Sequence, residues 1–333
     1  MKFAVATLVA LLVAFAAEFA AAEPLKLRIG WIVVPAEITP IFPTDPKIAK
    51  HVGESYVIDS LRFQGSSLYI QALAAGELDI APFGYSSFGL AVANADLKDL
   101  KIIANEDRDG HDGYFTTQYM VRNNSGIDKI ENLKGKVIAT NAVGSISDMA
   151  FRIMVRGHHL DDAKDMSFVE ASLPNMNALL LEKKVDLIPG VVPFTLDLTL
   201  RKEAHSLFTG VDAMGPTEIA FMTARQSFLS THHAAMVDFL EDYLRVLHWY
   251  EDPANRPAAL QIVANFMKLP VDKISSWAFT KEDYYRPPDG RISSAILQKN
   301  LDMQQGLGFL KTPIDVKSYV DMSYVDEAAK RLK

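Results

Sequence analysis

The stretch Leu61–Asn94, LRFQGSSLYIQALAAGELDIAPFGYSSFGLAVAN, decides the fold. Leu61 to Phe63 closes an apolar strand, Gln64 and Gly65 turn the chain, and Ser66 or Ser67 is placed to cap a helix lined by Leu68, Ala72, Leu73 and Ala75. Gly76 lets that helix stop. Leu78–Phe83 reads as a buried strand, Gly84 turns the chain again, and Ser86 or Ser87 opens a second capped helix running to about Asn94. Strand, helix, strand and helix in one short run mark an α/β fold. Both helix starts are rich in Gly and Ser, and helix N-termini carry free amide donors and partial positive charge. The run therefore reads as part of a cradle for a small ligand.

Working outward, Leu25–Trp31 alternates apolar and basic residues as a first strand does, and the Pro-rich loop Ile32–Pro46 cannot be one regular helix. A loop of that length after a first strand points to function. Tyr56–Phe63 is the next strand and Leu100–Ala104 another; Asn105–Gly113 reads as a polar, acidic turn, and Tyr114–Val121 as a long strand leaving it. Strands follow at Val137–Thr140, Ser167–Glu170 and Glu218–Thr223, with a helix at about Ser147–Arg156. Beyond Thr231 the chain turns helical: Met236, Phe239, Leu240, Tyr243, Leu244 and Leu247 form a stripe at helical spacing, and further helices are expected at Pro257–Lys268, Val271–Phe279, Ile292–Gly306 and Val316–Leu332. One echo stands out. Gln71-Ala72-Leu73 followed by Asp79-Ile80-Ala81-Pro82 recurs, one residue more widely spaced, as Asn177-Ala178-Leu179 followed by Asp186-Leu187-Ile188-Pro189. The same supersecondary unit is used twice, once in each half of the chain.

Met1–Ala22 has a basic start at Lys2, a short apolar run and a small-residue end, Ala20-Ala21-Ala22, and reads as a secretory signal peptide cut after Ala22. No second apolar stretch is long enough to span a membrane. The chain has no Cys, which excludes disulfides, a lipidated cysteine and thiolate chemistry. Its formal charge of -7, without a basic run, argues against nucleic acid. The roughly 310 residues after the leader suffice for two lobes with their own cores.

Several chemical motifs fail on spacing. Gly84-Tyr85-Ser86-Ser87-Phe88-Gly89 does not match a nucleophile elbow, which needs one residue between Ser and the second Gly. The adjacent pairs His158-His159 and His232-His233 diverge by about 100° on a helix and cannot chelate one ion. Asn105, Asp107, Asp109 and Gly110 match the first half of a calcium loop, but Thr116 stands where the bidentate Glu belongs, leaving an acidic surface turn. In Asn141–Asp148, Gly144 and two serines precede a helix, an arrangement that suits either a bound anion or a capping pair of Ser145 with Asp148. Trp31, Phe83, Tyr85, Tyr114 and Phe194 fall at strand ends, where they could wall a pocket.

With the leader, QGSSLYIQALAAGELDIAPFG, NLKGKVIATNAVGS and the helical C-terminus in this order, the mature chain resembles the periplasmic substrate-binding proteins of ABC importers. The nitrate/sulfonate/taurine group, also called thiamine-precursor-synthase-like, is the most similar branch. The resemblance implies an α/β Venus-flytrap fold of type II, each lobe a mixed sheet flanked by helices. The lobes would be residues 23–116 plus 215–333 and residues 117–214, with crossings near Thr116–Gln118 and Met214–Thr217. It implies ligand contacts at Trp31, Pro35 and Glu37; at Gln64, Gly65 and Ser66; and at Phe83, Gly84, Tyr85 and Ser86. From the second lobe it implies Asn141, Gly144, Ser145, Ser147, Val191 and Phe194. The expected protein is a monomeric periplasmic receptor that hands a small organic anion, sulfonate-like or aromatic carboxylate-like, to a membrane permease and ATPase, with no metal, cofactor or catalytic residue. The long Pro-rich loop and the absence of basic residues in these segments, with only Arg108 and His111 nearby, depart from the family pattern. An enzyme on this fold and a receptor feeding a membrane sensor stay open as alternatives; the Cys-rich motif of the pyrimidine synthases is absent.

Overall fold

The structure, a computed structural model, describes residues 23–95 and 97–332, so the expected leader lies outside the described residues. In chain order the strands are β1 (Leu25–Trp31), β2 (Tyr56–Arg62), β3 (Ala81–Phe83), β4 (Leu100–Asp109), β5 (Gln118–Arg122), β6 (Val137–Thr140), β7 (Ser167–Glu170), β8 (Leu187–Gly190), β9 (Ala204–Thr209) and β10 (Thr217–Arg225). Two mixed sheets follow one plan. In the first, β1 pairs in parallel with β2 from Leu25 opposite Tyr56 to Trp31 opposite Arg62, and meets β3 through a parallel bridge at Ile29 and Ile80. β10 then runs antiparallel between β3 and β4. In the second sheet β6 lies parallel between β7 and β8, and β5 runs antiparallel between β8 and β9. Reading across, β2-β1-β3-β10-β4 answers to β7-β6-β8-β5-β9. In both sheets the antiparallel fourth strand is the one entered on crossing from the other sheet.

The repeated Asp…Pro signature opens the third strand of each sheet, and in both places the carboxylate does the same work. Asp79 accepts the β1 amide of Arg28 at 2.9 Å and is gripped by the Arg28 guanidinium at 2.9 and 2.6 Å. The same guanidinium reaches the Gly76 carbonyl just past the helix Ser67–Ala74 at 2.6 Å. Asp186 accepts the β6 amide of Val137 at 3.0 Å and meets Arg122 at 3.4 Å, whose Nη1 donates to the carbonyls of Leu180 and Val185. Each unit thus aligns its third strand on its first, and its Arg adds a bond to the chain between the helix end and that strand.

The helical stripe after Thr231 belongs to a helix over His233–Glu251, whose Met236, Phe239, Leu240, Tyr243, Leu244 and Leu247 are buried. It packs on β2 and on the helices Arg256–Met267 and Ser323–Arg331. The helix Ser294–Gly306, capped by Ser293, falls where the pattern placed it. Val271–Phe279 forms only a 3-10 turn, Val271–Lys273, followed by irregular turns in which the Trp277 indole takes the Lys273 carbonyl and the Arg256 guanidinium those of Ser275 and Ala278. Val316–Leu332 is also interrupted: a 3-10 turn at Val316–Ser318 precedes the final helix, with Asp321 accepting the Ser323 amide and hydroxyl at the break. No helix among the described residues is long and apolar enough to cross a membrane.

Two corrections concern the centre of the chain. Asn105–Gly113 is not a surface turn: β4 continues to Asp109, and Asn105, Glu106, Asp107 and Asp109 are buried. β10 pairs with it along its whole length, and Glu218 on β10 takes Asn105 at 2.8 Å and Arg108 in a two-pronged bond. The strand expected from Tyr114 begins only at Gln118, since residues 110–117 make the crossing between sheets with Gly110 and Gly113 at positive φ. The half calcium loop is therefore strand, and its carboxylates sit on β4 rather than around one turn.

Candidate functional site

Residues just past the carboxyl ends of β1, β3, β6 and β8 line one inner cavity of about 170 Å³. That is where open α/β sheets hold ligands. Ile32, Val33 and Glu37 come from the loop after β1, Pro82 and Gly84 from the end of β3, Asn141, Ser145, Ile146 and Ser147 from the turn after β6, and Val191 and Val192 from the loop after β8. The two crossings close the back with Asp109, Thr117, Gly210 and Met214. These crossings are tied together: Gly210 donates to the Thr117 carbonyl at 2.7 Å, and the Thr117 amide donates to Asp109 at 3.0 Å. An outer cavity of about 350 Å³, sharing Ile32, Val33 and Leu173 with the inner one, is lined by Trp31, Arg62, Phe63, Gln64, Phe194 and Phe266 among others.

Of the residues expected from sequence, Glu37, Ser66, Gly84, Asn141, Ser145, Ser147 and Val191 line the inner cavity, and Trp31, Gln64 and Phe194 the outer. The other six line neither. Phe83 and Tyr85 are wholly buried; Phe83 lies edge-on to Tyr69, and the Tyr85 hydroxyl donates to the Met214 sulfur at 3.3 Å. Ser86 is buried with its carbonyl accepting from Gln304, the Gly65 carbonyl accepts from Leu68, and the Pro35 carbonyl accepts from Arg286 at 3.0 Å. Gly144 donates its amide to the Asp148 carboxylate at 2.8 Å. Arg108 is held by Glu218, and His111 stacks on Tyr285 at 3.7 Å together with Tyr114 at its edge, so none of these three lines either cavity.

Capping also differs from expectation. Ser66 and Ser86 cap nothing; the second helix starts after Gly84, and the Ser87 hydroxyl donates back to the Gly84 carbonyl. In the turn after β6, Ser145 does cap the helix by accepting the Asp148 amide at 3.3 Å. Three amides of the turn are engaged, Val143 with Glu170, Gly144 with Asp148 and Ser145 with the Ala142 carbonyl, while Ile146 and Ser147, the first two residues of the helix, line the cavity. The capping pair is present at this turn.

The sequence reading missed Asp107 and Asp109 on β4, and Thr117, Tyr119 and Tyr284, all on the inner wall. A period-two reading of Asn105, Asp107 and Asp109 would have put the three on one face of a strand. Asp107 and Asp109 line the cavity without being solvated, and no lysine, arginine or histidine does so. Burial raises the Glu37 carboxyl to about 7 against the pull of the Val33 amide, which donates to it at 2.9 Å. Burial likewise pushes Glu106 and Asp107 well up and Asp109 up, with Arg286 opposing the shift at Glu106 and Asp107 and the Thr116 and Thr117 hydrogen bonds opposing it at Asp109. Burying so many acids at one point is costly, and such clusters of raised carboxyl groups gather at functional sites.

This architecture, two sheets of one plan walling a common cavity, is a fold shared with periplasmic sulfonate- and nitrate-binding proteins and with a desulfurization enzyme. The chain belongs to the NMT1-like family, whose model matches residues 20–264. No curated protein matches the sequence. Among solved structures, it is similar to the alkanesulfonate-binding protein SsuA from Xanthomonas axonopodis pv. citri bound to MOPS, at 19% identity and TM-score 0.70, covering 90% of this chain and 99% of that one. The periplasmic nitrate-binding protein NrtA from Synechocystis PCC 6803 matches at 15% identity and TM-score 0.71, covering 93% of this chain and 90% of that one. The desulfurization enzyme DSZB also shares the fold, at 12% identity and TM-score 0.67, covering 93% of this chain and 100% of that one.

Proposed function

We propose that this protein is an exported receptor that captures one small organic molecule between two lobes and delivers it to the permease and ATPase of an ABC importer. The observation that carries the reading is the inner cavity, whose walls come from both sheets and whose back is formed by the two crossings. The lobes are residues 23–116 plus 215–333 and residues 117–214, the leader Met1–Ala22 directs the chain to the periplasm, and it acts as a monomer. Ligand contacts run along the inner and outer cavities, so the bound molecule has a compact head and an apolar, aromatic-compatible tail beside Trp31, Phe194 and Phe266. An acidic group on the ligand has its cationic partner at Arg62 in the outer cavity, not in the inner one.

The sulfonate- and nitrate-binding proteins of this fold support a receptor, and the fold's use by a desulfurization enzyme keeps catalysis as the competing reading. Native mass spectrometry of protein exposed to a small-molecule extract tests the two. A receptor retains one unaltered solute per chain; conversion of a solute, or no retained solute, contradicts the proposal.

A further inference from the structure

We propose that the inner cavity takes a cationic head group, an amine or amidinium, seated against Asp107 and Asp109; the inference deepens the receptor reading and rests on it. Both carboxylate oxygens of Asp107 are buried without a hydrogen-bond partner, as are Asp109 Oδ1 and the neighbouring Glu106 Oε2. Asp107 and Asp109 line the cavity. Buried acceptors without donors are rare, and their natural complement is a ligand rich in N–H groups. A sulfonate or carboxylate brings only further acceptors and negative charge to this wall. Arg286, ion-paired with Asp107, offsets only part of the charge of Glu106, Asp107 and Asp109. Its guanidinium is spent on Asp283 at 3.1 Å and on the Pro35 carbonyl at 3.0 Å, and its Nε stands 3.5 Å from Asp107 without hydrogen-bonding it.

A metal ion is a poor alternative. The one group of three or more His, Asp or Glu among the described residues whose ligand atoms lie within 4.8 Å of one another is His51, Asp238 and Glu241, so no three carboxylates of the cavity wall converge on one point. An organic cation with several N–H groups spans such an arrangement.

Calorimetric titration with benzamidine, benzoate and benzenesulfonate, which share a ring and differ in head-group charge, tests the inference. Benzamidine should bind at least about tenfold tighter than either anion, and Asp107→Asn should weaken it by at least about tenfold while leaving the unliganded melting temperature unchanged or higher. Tighter binding of either anion, binding of none of the three, or full affinity in Asp107→Asn overturns the inference. In any of those cases, a single solute of any charge retained from the extract keeps the receptor reading, and its absence removes both.

Discussion

Glu37 shows how one residue of the wall reports on the site. Its carboxyl is buried after β1 and raised to about 7, so the folded protein holds a proton there that the unfolded chain releases near 4.5. The contribution to stability is therefore full below about 4.5 and lost as the pH climbs through 7. We expect the stability difference between the wild type and Glu37→Gln, measured by urea unfolding without ligand, to move toward the variant by up to about 3 kcal/mol between pH 4.5 and 8. Parallel pH profiles for the two proteins would show that the carboxyl is not held in this environment. The same logic separates the wall from ordinary surface acids. Nothing in the types of residues 105–109 distinguishes a solvated acidic turn from a buried one, because charged runs are exposed unless something pairs with them. The pairing arrives from β10, more than a hundred residues later, and from Arg286. That is why the strand read as a loop, and why Asp107 and Asp109 were missing from the expected contacts.

At the scale of elements, the repeated Asp…Pro signature was legible because its work is local: a carboxylate that meets the amide of a neighbouring strand and an Arg that bonds the chain between the preceding helix and the strand. Asp79 is 8% exposed and bound at both oxygens by Arg28, whereas Asp186 is 23% exposed on its side chain and meets Arg122 at 3.4 Å. Asp79→Ala should accordingly cost about 2 kcal/mol and Asp186→Ala about 1 kcal/mol in denaturant unfolding; the reverse order would contradict the account. The helices were equally legible wherever an apolar stripe decided them, as in His233–Glu251, and illegible at Val271–Phe279, where the side chains of Trp277 and Arg256 take the carbonyls of Lys273, Ser275 and Ala278. The crossings make a further contrast. Gly110 has φ +78, and a Cβ there would stand 2.4 Å from Val211 and 3.2 Å from the Pro216 backbone, while Gly126 has φ +74 with nothing within 4 Å. Gly126→Ala should cost about 1 kcal/mol from backbone strain alone and Gly110→Ala clearly more, because it also forces the two crossings apart. Equal costs in thermal unfolding would mean that the crossings do not lean on each other.

For the whole molecule, two sheets with one strand order exchange their fourth strands and meet across a cavity that neither could form alone. The α/β class, the doubled unit and most of the wall nearest the strand ends were readable in the sequence, since turns rich in Gly and Ser follow buried strands for local reasons. The charge of the wall was not, because it depends on which strands the crossings bring together. Gly84 lies where the halves touch: a Cβ there would come 2.5 Å from the Ile146 side chain and 2.8 Å from the Ile219 carbonyl. Hinge closure driven by contacts made only when both halves reach the ligand requires that approach. The most direct measurement is calorimetric titration, with the solute recovered from the protein, of the wild type and of Gly84→Leu shown by circular dichroism to be folded. One site per chain in the wild type and at least about tenfold weaker binding in the variant is the expected result; unchanged affinity in Gly84→Leu would contradict a ligand enclosed between the two sheets.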